Sequence, residues 1–101
     1  MSKKYRVEYL PIAEQDLTDI IEYITLDSPQ SALKLLQEID ESISKHEDFP
    51  FIGINPRDTR LQRLNYRILV VNSYLVFYVA KDDYVEIRRI FHGKRKYQFL
   101  L

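Results

Sequence analysis

Near the end of this 101-residue chain, Arg88, Arg89, His92, Lys94, Arg95 and Lys96 place five permanent cations and an imidazole within nine positions. Arginine presents a planar fork of donors that matches phosphate or carboxylate, and lysine a compact point charge. His92 adds an imidazole, a side chain able to act as a general base or acid. Tyr97 and Phe99 follow closely and could stack on a base or fill an apolar slot. The cluster therefore suits contact with an anionic partner, through Arg88, Arg89, Lys94, Arg95, Lys96 and Tyr97. A purely structural role competes with this one, because Lys and Arg on an edge strand discourage aggregation. His92 serves equally well as a hydrogen-bonding turn residue, and His46 reads as a helix-end residue that complements the dipole.

Other chemistries are excluded or unsupported. Without cysteine there is no disulfide scaffold, thiolate zinc site or cysteine nucleophile. The two histidines lack metal-ligand spacing, so neither a metal nor another cofactor is expected. Two glycines cannot build a phosphate-cradling loop. The acids lack the paired, apolar setting of a glycosidase site. The eight tyrosines mostly alternate with aliphatics and read as core or rim residues with wet hydroxyls.

The elements that must position these groups divide the chain by charge. Residues 1–56 hold five Lys/Arg against eleven Asp/Glu, and residues 57–101 hold ten against four. Such asymmetry points to a basic face that meets something anionic and an acidic, solvated helical half. Tyr5–Tyr9 alternates in the period of a half-buried strand. Pro11 suits a first helical turn. Ala13, Leu17, Ile20, Ile21 and Ile24 then form an apolar stripe, with Glu14, Asp16, Asp19 and Glu22 on other faces. Ser28-Pro29 caps and opens a second helix, whose stripe is Ala32, Leu36, Ile39 and Ile43, joined by Leu33 and Leu35.

Phe49 to Asp58 reads as a loop. Strands follow at Tyr66–Val71, Tyr74–Ala80 and Tyr84–Phe91, with Asn72-Ser73 and Asp82-Asp83 as turns. Leu61–Leu64 is a candidate for a further short strand. In the last strand the apolar phase changes between Ile87 and Ile90. Either a bulge near Arg88-Arg89 reconciles the phase, or Phe91 stays in phase with Ile87 and Arg89 intrudes on the core face. The expected fold is α+β in two layers: an N-terminal strand, a helical hairpin and an antiparallel meander. One domain over residues 1–101 is expected. No signal-like or membrane-spanning run is legible, which makes the cytoplasm the expected location.

Three segments together resemble a known family. They are Ala13-x-x-Asp16-Leu17-x-x-Ile20-Ile21-x-Tyr23, then Phe49-Pro50 with Gly53, then Tyr74-x-Val76-Phe77-Tyr78 followed by Val85-Glu86-Ile87-x-x-Ile90-Phe91-His92-Gly93-x-Arg95. Over residues 5–97 this set is similar to RelE/ParE superfamily toxins of bacterial type II toxin–antitoxin systems, nearer to the ParE branch. The resemblance implies a curved sheet flanked by the helical hairpin. It also implies a hetero-oligomer with a cognate antitoxin, and a target in DNA gyrase (ParE branch) or on the ribosome and its mRNA (RelE branch). In the ribonuclease branch His92 and Arg95 would be catalytic, and Arg67 would lie on a strand that contributes cations. Two departures favour gyrase. Leu75 stands where ribonuclease members carry an arginine after the aromatic of the middle strand, and Gly93 replaces the tyrosine of a terminal His-Tyr pair. A non-toxic binding module is the third reading. Whether the chain is an enzyme depends on which branch it follows.

Overall fold

A computed structural model describes residues 5–44 and 53–93. Strand β1 (Arg6–Tyr9) leads into helix α1 (Pro11–Asp27), then α2 (Pro29–Ser44), a short α3 (Thr59–Arg63), and strands β2 (Tyr66–Val71), β3 (Tyr74–Ala80) and β4 (Tyr84–His92). The sheet order is β1-β4-β3-β2. Strands β2, β3 and β4 form the expected antiparallel meander, and β1 adds to β4 in parallel. The N-terminal strand thus lies beside β4, and helices α1 and α2 cover one face of the sheet.

Local signals account for the helices. Pro11 occupies the first turn of α1, where its missing N–H is no loss. Ser28 separates the two helices, and its hydroxyl accepts from the Ser31 N–H at 3.2 Å. Ala32, Leu35, Ile39 and Ile43 are buried on α2, while Leu33 is exposed. Leu35 therefore takes the stripe position assigned to Leu36, which is only half-buried.

The two sheet faces build separate cores. Toward the helices, Val85, Ile87, Ile90, Val76, Tyr78 and Val71 pack with Ala13, Leu35, Ile39 and Ile43. On the opposite face Tyr66, Ile68, Phe77, Val79 and Phe91 pack with Leu61 of α3. The Leu61–Leu64 segment is thus helical where a strand was a candidate. Asp58 explains this, because its carboxylate caps the helix by accepting from the Leu61 N–H at 3.1 Å. The apolar Leu61 then covers the second sheet face.

Ile54 forms an isolated bridge to Ile68 on the outer edge of β2, with backbone bonds of 2.8 and 2.9 Å. Beside it the Gly53 N–H donates to the buried Tyr78 hydroxyl at 2.8 Å. A Cβ at position 53 would lie 2.6 Å from that hydroxyl and 2.9 Å from the Ile68 carbonyl. Only glycine lets the backbone approach so closely.

Tyr9 packs against the helix-side core. Burial, reinforced by the negative charges of Asp40 and Glu14, pushes its hydroxyl up to about 12. A raised folded-state value means that the native state holds this proton longer than the unfolded chain does. The stabilisation is complete below the unfolded value near 10 and is lost as pH rises toward 12. Thermal melting should therefore fall steeply over that interval, and Tyr9→Phe should flatten the dependence. An equally steep fall in the Tyr9→Phe protein would show that other groups carry it.

Candidate functional site

The phase change in β4 is a β-bulge. Phe77 pairs with Arg89 and Tyr78 with Ile87, so Arg88 is the extra residue. Before the bulge Val85 and Ile87 face the helices, and after it Ile90 does. Arg88 and Arg89, though consecutive, both turn to the opposite face. The Arg88 guanidinium lies 5.3 Å from the Tyr66 ring centre, and that of Arg89 lies 4.5 Å from the Phe91 ring centre. A regular strand would send two neighbours to opposite faces, and the inserted residue re-aims one of them.

Strand β1 stops at Tyr9, and its last bond to β4 runs from the Leu10 N–H to the Ile87 carbonyl at 2.9 Å. Beyond that point the edge of β4 is covered by a side chain of α1. One Asp16 oxygen accepts from the Ile90 N–H at 3.0 Å and from Arg89 Nε at 2.8 Å. The other accepts from Arg89 Nη2 at 2.9 Å. Both side chains are largely buried, with 14% of Arg89 and 13% of Asp16 exposed. The hydrogen bonds to Asp16 hold the Arg89 guanidinium above its ordinary value, against the opposing effect of burial. Arg88 is tied to Glu86 at 2.8 Å. Burial works against its charge, but hydrogen bonds to Tyr66 and Glu86 outweigh it and the value is raised.

The proposed contact residues are therefore differently placed. Arg88 and Arg89 are neighbours on one face, but their forks bind carboxylates of the same chain. Arg67 lies on β2 opposite Tyr78, half-buried, and donates to the Gly53 carbonyl at 3.2 Å. His92 is exposed at the end of β4, packed edge-on to Tyr74 with ring centres 5.3 Å apart. Through the pairing, Arg67 is level with Tyr78 and His92 with Tyr74. That separates them by about 13 Å along the strand direction. Lys94, Arg95, Lys96 and Tyr97 lie outside the described residues, as do His46 and Phe49-Pro50. Leu75, at the position where the ribonuclease branch carries an arginine, packs against the Phe77–Phe91 cluster.

In the sequence Asp16 stood out only as one acid among several on α1 and as part of the family-like helix motif, with no partner assigned. Its signal was the pairing of a helix acid with an arginine at the point where the β4 pattern breaks. Among the described residues no cluster of three or more metal-ligating side chains occurs. No helix among them is long and apolar enough to cross a membrane.

This arrangement of strand, helical hairpin and mixed sheet is the fold of a known class of toxin. The structure is similar to a chain of the chromosomal ParDE toxin–antitoxin system from P. aeruginosa, with a TM-score of 0.73 at 21% identity. The match covers 92% of this chain and all of that one. The model of the ParE toxin family, of the parDE type II toxin–antitoxin system, matches residues 7–97, and the chain belongs to that family. No match was found among curated protein sequences.

Removing one partner of a buried, hydrogen-bonded ion pair leaves an uncompensated charge, at a cost of about 3–5 kcal/mol. Asp16→Ala should lower stability by that order, measured as a shifted urea midpoint at unchanged slope. Asp16→Asn keeps an acceptor for the Ile90 N–H and should lose less. A loss below about 1 kcal/mol for Asp16→Ala, typical of a surface pair, would show that the clamp contributes little.

Proposed function

We propose that this chain is a growth-arresting toxin that acts on DNA gyrase and is neutralised by a cognate antitoxin. Membership of the ParE family carries the reading, since the family model spans nearly all of the chain. The environment of Leu75 supports gyrase over mRNA. Cleaving a phosphodiester through its neighbouring 2′-hydroxyl needs preorganised cations around the scissile phosphate. At the position in question this chain offers an aliphatic side chain packed among aromatics. The adjacent forks of Arg88 and Arg89 are held by Glu86 and Asp16. A gyrase contact requires a binding surface instead, and the terminal cations Lys94, Arg95 and Lys96 with Tyr97 are the residues proposed for it.

The exposed apolar residues of the hairpin support an antitoxin partner. Tyr23 is 77% exposed, Leu26 87% and Leu33 58%. Residues of this size left in water favour a partner that covers them.

Induction should arrest growth, and purified protein should impair gyrase supercoiling while primer extension finds intact mRNA. Loss of a preorganised donor costs on the order of 10²–10³ in rate, so residual cleavage should be weak at most. Codon-positioned cleavage with gyrase unaffected would restore the ribonuclease reading, with His92 and Arg95 as its catalytic candidates. Absence of growth arrest would leave a non-toxic binding module.

Co-expression with the neighbouring reading frame should yield a complex that melts higher than the toxin alone, because a ligand selective for the folded state stabilises it by mass action. Binding without any rise in melting temperature would count against antitoxin cover of the apolar surface.

A further inference from the structure

Beside β2 and α3 lies a cleft of about 480 Å³ lined by Asn55, Gln62, Asn65, Tyr66, Arg67 and Ala80, with Arg88 of the bulge stacked on the Tyr66 ring. Its walls are polar and held on fixed backbone. The Ile54–Ile68 bridge sets the strip that bears Asn55. Gln62 donates its amide N–H to the Pro56 carbonyl at 2.7 Å, which leaves its own carbonyl oxygen as an acceptor. Asn65 sits just beyond α3 with a φ of 63°, a left-handed conformation that asparagine tolerates better than most residues. Arg67 also lines the cleft, and its guanidinium donates to the Gly53 carbonyl at 3.2 Å.

The segment that builds most of this cleft is predominantly basic. Residues 53–67 hold four arginines and a single acid, Asp58, whose carboxylate is turned to cap α3. Arg57, Arg60 and Arg63 are exposed, and Arg60 and Arg63 sit three apart, so they share one side of the short helix. The α1–α2 hairpin is the opposite pole, with eight acids against one lysine between Pro11 and Ser44. A field so divided turns this end of the molecule toward an approaching polyanion.

From this placement we infer that the cleft beside α3 binds a single strand of nucleic acid. The arginines would take the phosphates, and the amides of Asn55, Gln62 and Asn65 the edges of an unstacked base. Three observations select this ligand. Every cation in the segment is arginine, whose planar fork pairs with two phosphate oxygens at once. Side-chain amides carry both donors and acceptors and can match base edges. The helix here is only five residues long, which is too short to lie along a duplex groove, whereas the cleft admits a splayed base. The inference does not depend on the choice of gyrase as target.

Fluorescence anisotropy on the full chain would test it, with short labelled single strands of DNA and RNA, the matching duplex, and a polyglutamate peptide. Single strands should bind with a strong salt dependence, each neutralised phosphate contributing about 0.7 to the log–log slope. The sugar of the tighter strand identifies the natural form. Arg57→Gln, Arg60→Gln and Arg63→Gln combined should weaken binding at least tenfold and flatten the slope. Asn55→Ala with Asn65→Gly, which keeps the left-handed backbone accessible, should weaken binding with little change in slope. Circular dichroism of each variant confirms folding.

No binding of either strand at low salt would overturn the proposal. So would binding that survives the triple arginine change, or polyglutamate binding as tightly with the same dependence on these residues. Supercoiling assays on the same variants keep the two readings apart. Lost strand binding with retained gyrase inhibition supports a separate nucleic-acid site. A toxin inert toward gyrase would fail the target reading without touching the strand titration.

Discussion

The Asp16 carboxylate closes the one stretch of β4 that the sheet itself leaves open. After β1 ends, the Ile90 N–H faces outward from the edge, and an unpaired donor there would incur a desolvation penalty of about 1–3 kcal/mol. Asp16 meets that donor and the Arg89 fork with a single group. Helix α1 is thereby fixed against the sheet by direction-dependent bonds as well as by the apolar contacts of Ala13, Leu17 and Ile20. Apolar packing alone tolerates small slips of a helix along a sheet, but a bidentate arginine does not. The bulge and the clamp also depend on each other. Without the extra residue at Arg88, Arg89 would point to the helix-side core. Without Asp16, its charge would have no partner at the edge.

The bulge also organises the second sheet face. Two consecutive arginines on one side bring cations over the aromatic pair Tyr66 and Phe91, where ring faces and carboxylates share the charge. That face is neither a plain apolar core nor a solvated surface. Leu61, Ile68, Phe77 and Val79 fill its centre, and the arginines form its border along β4. Arg88 and Arg89 of β4 are built into the fold, whereas Arg57, Arg60 and Arg63 are exposed.

Much of this architecture was legible because it depends on local pattern. The hairpin stripes, the Ser28 cap, the Asn72-Ser73 turn and the phase break in β4 all follow from spacing within a few residues. Long-range pairing was not legible. Nothing near Arg6–Tyr9 tells a parallel partner from an antiparallel one, because either would bury the same alternate residues. Asp16 and Arg89 are 73 positions apart, and each looks like an ordinary surface charge until the fold joins them. Leu61–Leu64 was ambiguous because four residues carry almost no periodicity, and the deciding group, Asp58, lies just before them. The cleft beside α3 was missed for a related reason. Its amides come from a loop, a helix and a helix end, which the Ile54–Ile68 bridge and the Gln62–Pro56 bond bring together.

The parallel pairing of β1 with β4 has a temporal consequence. Among the described strands, the first to leave the ribosome pairs in the sheet with the last to be made. Until β4 emerges, Val7 and Tyr9 have no strand to pair with, and Asp16 has neither arginine nor amide to bind. A nascent chain can form its helical hairpin early from local contacts, while closure of the sheet waits for long-range ones. The described sheet therefore closes only after β4 has been made. A toxin whose sheet closes this way stays unformed on its own ribosome until β4 has emerged.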